Sequence, residues 1–137
     1  MKLWMTLAWG LLVLGGAGMA YIRFGPVDAP YWHQPIEAVQ NYDMKNGSIR
    51  VVVAPPEAFI KVDAAARALP RTRVIAGSVA QGRITYETRT LFFGFPDYTT
   101  VEHIGNTLKF FARSRFGGSD FGVNRARLKR LLGAAKL

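Results

Sequence analysis

The chain contains no cysteine. Disulfides, thiolate metal centres and cysteine nucleophiles are therefore excluded. Histidine is nearly missing as well: His33 and His103 are the only two, with no ligand spacing around them, so an ordinary zinc site lacks its donors. Acidic residues are scarce, nine against eighteen lysines and arginines, which leaves a net charge of +9. The motifs that announce common catalytic machinery are absent: no G-x-S-x-G, no Walker phosphate loop, no H-E-x-x-H. There is no internal repeat of useful length, and 137 residues leave room for one domain, not two. No cofactor is expected.

What the chain does have is a long apolar run. Residues 3–22 carry no charge, and twenty residues of helix span roughly 30 Å, the thickness of a bilayer's hydrocarbon. Trp4 and Tyr21 sit near its ends, where amphipathic rings suit the membrane interface, and Lys2 and Arg23 flank it. Residues 1–23 thus read as a single membrane anchor. A cleaved signal peptide is the alternative, because Gly18-Met19-Ala20 offers small residues at both positions a signal peptidase reads. The one-lysine leader and the length of the run favour the uncleaved reading. The basic residues flanking the run nearly balance. The orientation adopted puts the N-terminus inside and the domain on the outer side of the cytoplasmic membrane; cleavage would instead give a secreted protein.

Residues 24–48 read as a linker, since Pro26, Pro30 and Pro35 break any continuous helix. Trp32 is expected on the domain rim and His33 in solvent. Asn46-Gly47-Ser48 is a turn signal before the domain proper, residues 49–137. Residues 49–53 form a β-branched strand. Phe59, Val62, Ala66 and Leu69 then recur at helical spacing between Pro55-Pro56 and Pro70. Strands are expected over 73–80, 83–93, 98–104 and 107–116, with hairpin turns at Gln81-Gly82 and Gly105-Asn106. Leu128, Leu131, Leu132 and Ala135 stripe a final helix over 122–135. The order is β-α-β-β-β-β-α. It implies an α+β fold: one antiparallel five-stranded sheet with two helices on one face, behind an N-terminal transmembrane helix.

The run from Arg113 to Arg127, R-S-R-F-G-G-S-D-F-G-V-N-R-A-R, resembles the signature of a bacterial family known as domain of unknown function 1499. Phe93-Gly94-Phe95-Pro96-Asp97-Tyr98 and Trp32-His33 are similar to that family too, so the resemblance covers roughly residues 30–137. It implies a compact α+β domain, often tethered at a membrane, and no activity.

The charge is unevenly placed. Residues 109–137 hold eight lysines and arginines against Asp120 alone. Such an end favours an anionic neighbour, whether a ligand, a lipid head group or an acidic protein; the alternative is a solvated helix face. Arg113 and Arg115 leave one face of their strand, just before glycines and a helix N-terminus, and Arg89 can join from a neighbouring strand. Asp120 or Asp97 can equally neutralise these arginines as an internal ion pair. The residues expected to bind an anion or partner are Arg89, Arg113, Arg115, Asp120, Asn124 and Arg127, with Asn124 and Asp120 alternatively serving turn and cap. Asp97, His103 and Asp120 are the one available acid–base set, and a hydrolase built on them is the runner-up. A structural component of a cell-envelope complex is a third reading. An aromatic–arginine sheet face also suits nucleic acid, but a domain outside the cytoplasm would not meet it.

Overall fold

Alternation along the strands builds this protein, because every second residue must find a dry face. The computed structural model describes all 137 residues. Helix α1 (Lys2–Phe24) leads, followed by a short turn of helix α2 (Ala29–Trp32). Strands β1 (Tyr42–Met44) and β2 (Gly47–Val53), helix α3 (Pro56–Arg67), strands β3 (Thr72–Ser78), β4 (Arg83–Arg89), β5 (Pro96–Ile104) and β6 (Thr107–Ser114), and helix α4 (Val123–Ala134) complete the chain. The strands form one sheet in the order β1-β2-β6-β5-β4-β3, antiparallel throughout.

Helices α3 and α4 cover one face. Phe59, Val62 and Ala66 of α3, with Leu128 and Leu131 of α4, close over Ile84, Tyr86, Val101, Leu108, Phe110 and Ala112 of the sheet, all essentially inaccessible. Each large apolar side chain buried here contributes roughly 1.5–3 kcal/mol. Prolines delimit α3: Pro56 occupies its first turn, where no N–H is missed, and Pro70 follows its end. Helix α4 starts where Phe121 and Gly122 both adopt left-handed backbone, φ 54° and 82°. The Asp120 carboxylate then accepts from the backbone N–H groups of Gly122 (2.8 Å) and Asn124 (3.2 Å), capping donors the helix cannot satisfy itself.

The sheet has six strands rather than the expected five. The extra one, Tyr42–Met44, lies in the stretch read as linker and pairs with β2 through the turn at Asn46. Three residues, exposed Tyr42 and Asp43 and half-buried Met44, are too short a run to show a period. The strand expected over 83–93 stops at Arg89. Thr90 and Phe95 close a loop on each other, and Gly94 turns it with φ 70°. Leu91, Phe92 and Phe93 are therefore exposed loop residues, not members of a sheet face.

The largest departure concerns residues 26–37. They form a strap across the sheet face opposite the helices. Trp32 stacks on Tyr98 with ring centroids 4.3 Å apart, and His33 Nδ1 meets Thr85 Oγ1 at 2.8 Å. Neither residue lies where its sequence position suggested, on the rim or in solvent. The strap approaches β3 closely at Gly77 (φ 83°), where a Cβ would fall 2.7 Å from the His33 ring and 2.0 Å from the Arg83 carbonyl oxygen. Only glycine fits that backbone and that gap.

Candidate functional site

Beyond the single turn of α2 the strap lacks regular secondary structure, so most of its backbone groups need other partners once it lies on the sheet. Side chains on the second sheet face supply them. Arg113 donates to the Trp32 carbonyl, as does the Thr100 hydroxyl. Glu102 accepts from the Ile36 N–H at 3.0 Å, and Lys109 donates to the Ile36 carbonyl at 3.0 Å. Arg115 reaches the Pro26 carbonyl at 3.1 Å. Arg89 donates to the Ile22 carbonyl, in the last turn of α1, and to the Gly94 carbonyl, each at 2.9 Å. A guanidinium at the carbonyl end of a helix also meets the negative end of its macrodipole.

Arg89, Arg113 and Arg115 do share a face, as their alternation required. Their guanidinium groups grip three backbone oxygens of the preceding segment: Ile22, Trp32 and Pro26. Arg113 has no carboxylate partner. Phe111 and Trp32 lie 4.5 and 5.4 Å from its guanidinium carbon, and the Thr100 hydroxyl and Phe111 carbonyl accept from it. Burial draws its pKa down to about 10, opposed by the neighbouring Tyr31 and Tyr98, so it stays charged at neutral pH. Arg115 lies over the rings of Phe116 and Tyr21, and Tyr21 meets Phe116 edge-on. These contacts fix the end of α1 against the domain.

Glu87 is the electrostatic hub of this face. It is 1% exposed and accepts from Arg73 (3.0 Å), from Arg89 (3.0 and 3.3 Å) and from the Tyr98 hydroxyl (3.3 Å). Burial pushes its pKa up, but the hydrogen bonds from Arg73 and Arg89 outweigh that and hold it below the ordinary carboxylate range.

The other three expected site residues lie on the helix face and do not join the arginines above. Asn124, fully buried, donates to Asp120 (2.8 Å) and to Ser114 (3.1 Å) and accepts from Arg127. Arg127 completes the chain to Asp97 at 3.1 Å, with both side chains nearly inaccessible. Asp120, Asn124 and Arg127 thus tie α4 to the sheet.

Asp97, His103 and Asp120 do not converge. Asp97 and His103 stand six residues apart on β5, roughly 20 Å at strand spacing. His103 Nε2 lies 3.1 Å from the Ala54 carbonyl oxygen, with the ring stacked near Phe59. Asp97 and Asp120 both line a cleft of about 350 Å³ beside Phe116 and Phe121. The first is held by Arg127 and the second by the start of α4.

Sequence reasoning missed Glu87, Glu102, Lys109 and the strap itself. A signal was present. Thr85, Glu87 and Arg89, then Thr100 and Glu102, then Lys109 and Arg113 alternate with core residues inside strands. A sheet face so charged, in strands central to the sheet, calls for a partner that supplies peptide groups.

A sheet covered on one face by two helices and on the other by its own N-terminal strap, behind one apolar helix, defines the class: a small α+β domain carried at the end of an apolar leader. The chain belongs to the family described as Protein of unknown function (DUF1499), whose model matches residues 30–134, from the strap to the end of α4. No curated protein matches it. The matched region contains Arg89, Arg113 and Arg115 and the Trp32 carbonyl, while Ile22 and Pro26 precede it.

Proposed function

We propose that this chain is a single-span protein of the bacterial cytoplasmic membrane, with its domain on the outer side, mounted stiffly on an uncleaved anchor and serving there as a binding rather than a catalytic module. Helix α1 is 23 residues long, apolar and without a buried residue, which is the profile of a helix that lipid would cover. A signal sequence has the same profile up to its cleavage site. The observation that carries the proposal is the grip of Arg89 and Arg115 on Ile22 and Pro26, because a loose tether needs no such seat.

The end of the domain beside that seat supports it. Leu91, Phe92, Phe93 and Phe121 are 63, 82, 57 and 94% exposed, and the Phe92 carbonyl accepts from Arg23 at the end of α1. Large apolar side chains in one exposed rim next to a membrane-spanning helix suit the lipid interface.

The chain's lack of cysteine makes the test simple. Single cysteines at Phe92, Phe121 and Asn106, each carrying a spin label, are placed in the full chain in lipid vesicles. Asn106 lies at the opposite end of the nine-residue strand β5, roughly 30 Å from the rim. Labels at 92 and 121 are expected at interface depth and the label at 106 in water. Equal water exposure at all three positions would refute the mounting.

Of the basic C-terminal residues, Arg113, Arg115 and Arg127 are engaged internally. Arg125, Lys129 and Arg130 stay exposed along α4, so an acidic partner would meet those.

A further inference from the structure

A cleft of about 570 Å³ opens between the end of α1 and the β3–β4 edge of the sheet. Four arginines line it, Arg23, Arg71, Arg73 and Arg89, against one carboxylate, Glu87. Glu87 already serves Arg73, Arg89 and Tyr98, and Arg89 is engaged through all three of its nitrogens by Glu87 and the Ile22 and Gly94 carbonyls. The remaining guanidinium groups are only half used. Arg71 is held through Nε alone, by the Arg89 carbonyl at 2.9 Å, and Arg73 through Nε alone, by Glu87. Arg23 makes one long contact, 3.4 Å, to the Phe92 carbonyl.

Arg23, Arg71 and Arg73 are therefore each held by one nitrogen and keep others for a ligand. The cleft carries three positive charges in excess. The strap's carbonyls draw on none of it, being served by Arg113, Arg115 and Lys109. Guanidinium groups presented in this way suit the paired oxygens of a phosphate. The cleft is wider than a bare phosphate needs and falls in the size range of small-molecule sites. Phe24, 79% exposed, and Leu91 also line it, so one wall is apolar and contiguous with α1.

We infer that this cleft binds the phosphodiester of an acidic membrane lipid, with Arg71, Arg73 and Arg23 holding the phosphate oxygens and Phe24 and Leu91 facing the acyl side. The inference rests on the reading of α1 as an anchor, which places the cleft at the level of the head groups.

The test uses the full chain in detergent, titrated with phosphatidylglycerol or phosphatidylcholine and followed by native mass spectrometry. The wild type is expected to bind phosphatidylglycerol at least tenfold more tightly. Arg71→Gln/Arg73→Gln is expected to lose roughly tenfold or more of that preference, at the usual strength of charged hydrogen bonds. Arg125→Gln/Lys129→Gln removes the same charge from α4 and is expected to keep it. Equal affinity for the two lipids overturns the inference. So does an equal loss in both double variants, which would make the preference one of net charge. Inorganic phosphate at millimolar concentration distinguishes the other source of the same chemistry: if it binds alone as tightly as the lipid and displaces it, the cleft is a free-phosphate site. Alkaline carbonate extraction separates the two levels of failure. Release from membranes sinks the anchor, whereas retention without lipid preference sinks the cleft alone. Arg73→Gln, altering a mostly exposed side chain, repeats the measurement should the double variant fail to fold.

Discussion

Replacing Glu87 with glutamine removes one negative charge and almost no volume. In the native protein its carboxylate faces Arg89, whose side chain is 20% exposed, and Arg73, 63% exposed. The exposed Arg73 contact contributes little, about 0–1 kcal/mol. The Arg89 pair is different, because losing the carboxylate leaves a largely enclosed guanidinium with only carbonyl acceptors. Breaking a buried pair from one side costs about 3–5 kcal/mol, and the amide's remaining acceptor places Glu87→Gln near the lower figure. For a domain of this size, about 3 kcal/mol lowers the melting temperature by about 10–15 °C. Thermal unfolding of the full chain in detergent, followed by circular dichroism, measures it. The pH dependence provides an independent check. Folding holds the Glu87 pKa below its unfolded value, so its stabilisation is complete above about pH 4.5 and is lost as pH falls through the folded value. The variant should lack that acid-side loss. A drop under about 4 °C, or an unchanged acid limb, would refute the view of Glu87 as the hub of this face.

Asn124→Ala leaves Asp120, Ser114 and Arg127 each short of a partner in a buried site, so urea unfolding should show a loss of about 2–4 kcal/mol; under 0.5 kcal/mol would contradict the network. Tyr86→Phe removes the 2.6 Å hydroxyl donation to Asp63 and should cost about 1 kcal/mol. Burial first, then Asp63, pushes the Tyr86 hydroxyl well above the usual tyrosine range. The native state therefore holds that proton when the unfolded chain has released it, and stability should fall as pH rises past about 10, less so in the variant. His33 is shifted the other way: burial and then Arg83 lower its pKa, against the pull of Glu102. The unfolded state binds the proton more readily, so stability should decline as pH falls below about 6.5, and His33→Ala should erase that step in unfolding measurements between pH 7 and 5.

The helix face was legible from the chain. Ile84, Tyr86, Leu108, Phe110 and Ala112 follow a period of two, and Phe59, Val62, Ala66, Leu128 and Leu131 follow the helical period, so each fell on the side where it packs. The turn at Gly117-Gly118 and the Asp120 cap were legible for the same local reason. The strap was not. Pro26, Pro30 and Pro35 are typical of a linker, and apart from the turn of α2 this segment does lack regular structure. What keeps it on the sheet is a set of contacts to residues more than fifty positions away, such as Trp32 with Tyr98 and His33 with Thr85. Local pattern carries no record of those. Arg113 and Arg115 were likewise read correctly as neighbours on one face. The acceptors that seat the preceding segment on them are peptide oxygens, which every residue type supplies and which no sequence motif marks.

That last point bears on how such a segment can evolve. Arg89, Arg115 and Arg113 take hold of the main chain at residues 22, 26 and 32, and the side chains they touch there are the rings of Tyr21 and Trp32. Swapping one amino acid for another at exposed positions between those holds changes nothing the arginines detect. Deleting a single residue, by contrast, moves the holds out of step with fixed sockets on the sheet. The spacing of this stretch is under far tighter restraint than its spelling.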